Sequence, residues 1–111
     1  MSSIYKINLP LNRSGENRAL YVDVSKILAV SDAIFVNRMG HGGYFAEASI
    51  VLEHQAESLT ITLDQPYTMV DKQPKADLDE NNVPTRVAEL QLILDALRRA
   101  WESYTEFRDR V

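Results

Sequence analysis

The side chains best suited to chemistry crowd between Arg38 and Phe45. Arg38 offers a planar charged fork that matches phosphate or carboxylate. His41 is a donor that titrates near neutral pH. Tyr44 and Phe45 add flat apolar surface. Gly40, Gly42 and Gly43 place three glycines in four positions. Together these types suit a small nucleotide-like anion, held by guanidinium–phosphate pairing and ring stacking. Arg108 and Arg110 could join them at a subunit junction. A phosphate-cradling P-loop is excluded, because no Lys-Ser/Thr pair follows the glycines and no helix begins there. The plainer reading is a hairpin tip that meets a protein partner.

Other chemistry is sparse. Asp77, Asp79 and Asn81 space oxygen ligands like the opening of a calcium loop, but Asn82 stands where that loop needs glycine. Ala88 occupies the twelfth position, with Glu89 one step late. The segment reads as an acidic linker whose asparagines help to start a helix. His41 and His54 are the two histidines, and there is no cysteine. Zinc ligation and disulfide bonding therefore find no framework. No Gly-x-Ser-x-Gly elbow is present. The expectation is a protein with no catalytic residue, no bound metal and no cofactor.

The chain has 111 residues, 45% of them hydrophobic and 25% charged, which suits one globular domain. Twelve basic and 16 acidic residues leave a formal charge of −4. Phosphate contacts supply much of the affinity of nucleic-acid binders, so this balance argues against DNA or RNA as a general partner. No apolar run reaches the ~18–20 residues of a membrane span. The opening residues lack the layout of a signal peptide. These features lead to the expectation of a cytoplasmic accessory protein, of a size and make-up that also suit a phage-encoded product.

The elements that position these residues follow from periodicity. From Ile4 to Leu11, Tyr5, Ile7, Leu9 and Leu11 share one face, the pattern of a strand. Residues 13–18 form a polar turn. Leu20, Val22 and Val24 then alternate inward, which completes a hairpin. Ile27–Val30 and Ala33–Val36 read as one bent strand or two short ones. Tyr44–Glu53 and the alternating Leu59, Ile61 and Leu63 form a second hairpin through His54–Glu57. Gln65–Val70 leaves the sheet, and residues 71–84 are expected to be a mobile acidic loop. The fold class is α+β: an antiparallel meander of about five strands (residues 1–70), the loop, and one long helix over 85–111.

At the level of layout, the stretch from Tyr21 through Val22, Asp23, Val24, Ser25 and Lys26 to Ile27, together with the hairpin Ser49–Leu63, resembles the small flagellar FlbD-like proteins. Those run strand, Val-Asp/Asn-rich step, strand, hairpin, helix. The resemblance covers about half the chain and implies the same order of elements. The glycine-rich insertion, the acidic segment and the longer helix depart from it, and it transfers no functional residue.

The closing helix carries Val87, Leu90, Leu94, Leu97, Trp101 and Tyr104 at steps of three and four, on one stripe. It would be about 40 Å long, longer than the body that the preceding 84 residues can form. Its first half should cover the chain's own sheet. Leu97, Trp101, Tyr104 and Phe107 are the expected contact with a second copy, since large aromatics often anchor interfaces. Asp95–Arg99, Arg98–Glu102 and Glu106–Arg110 are opposite-charge pairs four apart on the polar side. The functional expectation is a non-enzymatic adaptor that self-associates through this helix as a homodimer or higher oligomer and contacts a protein partner with Arg38, His41, Tyr44 and Phe45.

Overall fold

The computed structural model describes residues 3–10, 18–38, 40 and 43–109, with side chains as far as Glu106. His41, Arg110 and residues 11–17, which include most of the expected turn 13–18, lie outside the described residues. So do the side chains of Phe107 and Arg108.

The protein has an α+β fold, with antiparallel strands against one long C-terminal helix. Strands β1 (Ile4–Leu9) and β2 (Arg18–Asp23) form the expected hairpin. Ile7, Leu9 and Val22 are buried, as the alternation requires. The chain then turns through a short 3-10 helix, Val24–Lys26, capped by Asp23. The Asp23 carboxylate accepts hydrogen bonds from the Ser25 amide (3.0 Å) and the Ser25 hydroxyl (2.6 Å). That hydroxyl, the Ser3 hydroxyl and nearby Lys26 all favour the charged form, and they hold the carboxyl below its ordinary value of 3.8. A depressed folded-state value means the contribution to stability is complete above pH 3.8. It is lost as the pH falls through the lower folded value. The midpoint of the Asp23 carboxyl signal in an NMR titration should therefore fall below 3.8, and Ser25→Ala should return it towards that value.

The main sheet is built on β5 (Gly43–Leu52). Strand β6 (Leu59–Gln65) pairs along one edge of it. Strands β3 (Ile27–Val30) and β4 (Ile34–Arg38) lie end to end along the other edge, so the apolar runs on either side of Ser31-Asp32 are two short strands. Ser31 bridges the break, its amide donating to the Ser49 carbonyl and its hydroxyl accepting from the Ser49 amide.

Gln65, expected to leave the sheet, still pairs with Tyr44 in it, and both the stretch after it and the expected loop 71–84 hold further structure. Strands β7 (Tyr67–Val70) and β8 (Gln73–Ala76) make a two-stranded ribbon. Its two-residue turn, Asp71-Lys72, has positive φ at both positions, 51° and 66°. This is the arrangement that suits the twist of a tight hairpin. Asp79 then organises the approach to the helix, its carboxylate accepting from the amides of Asn81 and Val83. Among the described residues the strands thus fall into ladders of two, four and two, in place of one continuous meander.

Helix α1 (Thr85–Asp109) lies across β5 and β6 and reaches the 3-10 turn, β1 and β3. Leu90, Leu94 and Leu97 are fully buried among Ala46, Ala48, Ile50, Ile61 and Leu63. The small Ala46 and Ala48 let the leucines sit close to the sheet. Arg98 does not follow its expected pairing with Glu102. Its guanidinium donates to the Val30 and Ser31 carbonyls and pairs with Asp32 and Asp95, which fastens the helix over the β3–β4 break. Gln91 adds a bond to the Ala33 amide. The molecule is elongated, 60 × 31 × 23 Å, with a radius of gyration of 16.1 Å. A compact chain of this length would have about 13 Å. Such a shape covers less of its apolar surface than a sphere would.

Candidate functional site

Tyr44 and Phe45 are neighbours in β5, so their side chains project from opposite faces of the sheet. They do not share a site. Tyr44 turns to the helix side and is 8% exposed. Its ring packs against Phe35 (centroids 5.1 Å apart) and edge-on against Tyr67 (5.8 Å). Its hydroxyl donates to the Pro74 carbonyl at 3.2 Å. Tyr44 thus pins the β7–β8 ribbon to the main sheet. This is a structural task and not the ligand stacking expected of it.

Phe45 and Arg38 do come together, on the outer face. The Arg38 guanidinium lies 5.8 Å from the centre of the Phe45 ring. Its Nη1 meets Glu47 Oε1 at 2.7 Å, and Glu47 also accepts from the Thr62 hydroxyl. Sequence reading missed Glu47, although the β5 alternation puts it on the same face as Phe45. The ion pair carries no net charge, so Arg38 does not present the free cation that an anionic ligand would need. Among the described residues, no three His, Asp or Glu side chains converge as a metal site. Asp77, first in the calcium-like spacing, accepts instead from the Thr68 hydroxyl.

The outer face mixes apolar and polar side chains: Ile34, Val36 and Phe45 share it with Glu47, Ser49, Thr60, Thr62 and Asp64. Ile34 is 57% exposed and Val51 is 40% exposed, with Leu28 open at the bulge of β3. Both Ile34 and Val51 belong to the outward series that includes Val36 and Phe45. Tyr67 and Met69 of the ribbon are also exposed.

The residues expected at a subunit contact divide. Leu97 is fully buried in the chain's own core, which removes it from any interface. Trp101 and Tyr104 are half-buried and pack on that core. Trp101 also borders an open hollow of about 410 Å³ with Arg98, Glu102, Thr105 and Glu106. Leu92, on the far side of the helix, is 70% exposed.

No protein-family model, curated protein or solved structure matches this chain. No described helix is long and apolar enough to cross a membrane.

Proposed function

We propose that the chain is a non-enzymatic adaptor that self-associates through its C-terminal helix and docks a protein partner on the outer face of its sheet. One observation carries the partner surface: Ile34 stands open opposite Glu47, on the face that also bears the Arg38–Phe45 pair. Exposed apolar side chains grouped with a few polar ones are the usual make-up of a protein-docking patch. An arginine laid on an aromatic ring and already paired with a carboxylate gives such a patch polar specificity without a net field. The reading of a nucleotide-like ligand loses support here, because Arg38 is neutralised and Tyr44 faces away from it.

A thermal-shift panel of nucleotides separates the two. An adaptor should melt at the same temperature with and without each nucleotide. A specific ligand at a hundred times its Kd would add about 2.7 kcal/mol and raise the melting point by several degrees. Such a rise with one nucleotide alone would favour the ligand-binding reading.

A further inference from the structure

We infer that the seam between β2 and β6 is a docking site for an extended segment of a partner protein, which enters it as an added strand. This rests on the adaptor reading above and gives the partner's docking segment its form.

The ladders show where unpaired backbone lies. The Val24 amide donates to the Ser3 carbonyl at 2.9 Å, so these two residues are a hydrogen-bonded pair at the end of the β1–β2 ladder. Bonded and non-bonded pairs alternate in an antiparallel ladder. Lys6–Tyr21 and Asn8–Ala19 are therefore non-bonded pairs, and Tyr21 and Ala19 aim their amides and carbonyls away from β1. In the main sheet, Ser49 uses its amide and carbonyl on Ser31, towards β3. Thr60, opposite Ser49 in β6, thus aims its backbone groups out of the sheet. Thr62, two residues on, does the same. Among the described residues, the backbone groups of Ala19, Tyr21 and Thr60 that face the seam have no hydrogen-bond partner.

Strands β2 and β6 form no ladder with each other. The Arg18 side chain joins them, its Nη2 donating to the Thr62 carbonyl at 3.0 Å. A strand fitted between two others needs about 9–10 Å, twice the spacing of a ladder, and an arginine side chain with its hydrogen bond bridges a gap of that order. Arg18 is exposed and free to swing outward. The seam also holds an open hollow of about 340 Å³, with Tyr21, Val22 and Asp23 on one wall and Glu53 and His54 on the other. The occupant follows from the chemistry of the edges. Ala19 and Tyr21 on one side, and Thr60 and Thr62 on the other, repeat at roughly 7 Å, the rise of two strand residues. An extended chain presents amides and carbonyls at that repeat, which is how a peptide adds a strand to a sheet edge. Thr60 and Thr62 also share the outer face with Phe45 and Glu47, so the added strand continues the surface proposed for the partner.

A displayed library of random nine-residue peptides, selected on the full chain, supplies the probe. At saturation the selected peptides should slow hydrogen exchange at the Tyr21, Thr60 and Thr62 amides by about tenfold or more. Tyr21→Pro and Thr60→Pro each remove one amide that faces the seam and no ladder bond. Each should weaken peptide binding roughly tenfold, the upper end for one lost hydrogen bond, with folding read by circular dichroism. The exchange measurement uses the native chain, so it stands even where a proline variant fails to fold. Peptides that bind without slowing those amides would overturn the seam and leave the adaptor reading standing. Loss of their binding in Ile34→Glu would then place docking on the outer face alone. A library without a binder would overturn the seam as well. Protection of the same amides that rises with chain concentration, with no peptide present, would overturn the partner and assign the seam to a second copy.

Discussion

Leu94→Ala is expected to lower the stability of the fold by about 3–4 kcal/mol, the range for emptying a leucine-sized space in a packed core. Leu94 has no exposed surface, and it sits between Leu90 and Leu97, which are equally buried. Ala46 and Ala48 beneath the helix are too small to fill the space. With a domain of this size the melting temperature should drop by roughly 10–20 °C. Leu28→Ala removes a leucine that is 56% exposed and should cost less than about 0.5 kcal/mol. Urea denaturation of the two variants checks the pair. Equal losses would mean that the helix does not close the core.

The second large effect is expected at Gln65, which is 1% exposed at the end of β6. Its Nε2 lies 3.0 Å from the Pro66 and Asp77 carbonyls and 3.1 Å from the Thr85 hydroxyl. Its Oε1 accepts from the Arg86 amide at 2.7 Å. One side chain thereby joins the sheet, the segment after the ribbon and the first turn of α1, where helical amides lack partners of their own. Gln65→Leu keeps the volume but strands those buried polar groups. The expected cost is about 2–4 kcal/mol. Hydrogen exchange gives a sharper readout, since the Arg86 amide should lose protection before the middle of the helix does. A variant as stable as the native chain, with Arg86 still protected, would show that this junction contributes little.

Gln65 also marks what the sequence discloses. Leu59, Ile61 and Leu63 point inward, and Gln65 is simply the next member of that series. The period was legible, but a glutamine at a strand end reads as surface until the groups that satisfy it are known. Those groups come from Pro66, Asp77, Thr85 and Arg86, and local pattern does not bring them together. The ribbon hid for a different reason. Pro74 lies within β8, and the Asp71-Lys72 turn lacks the Asn-Gly or Asp-Gly signature by which such turns are recognised. Strong alternation made the two longer hairpins readable, and three-four spacing made the helix readable, because burial on one face dictates both.

The expected site was half legible. Arg38 and Phe45 meet because β4 and β5 pair, bringing Val36 opposite Phe45 and Arg38 opposite Gly43. Tyr44 was grouped with them on adjacency alone, which in a strand places it on the other face. Leu97 was assigned outward on its place in the second half of the helix, yet its phase matches the buried leucines. Leu92, two positions from Leu90, falls off the stripe by its phase, and it is exposed.

Self-association through α1 is tested by the mass of the unmodified chain in solution. Light scattering across the micromolar range should give twice the 12.6 kDa of a single chain, falling towards that value on dilution. A constant 12.6 kDa over the whole range would show that the chain does not self-associate.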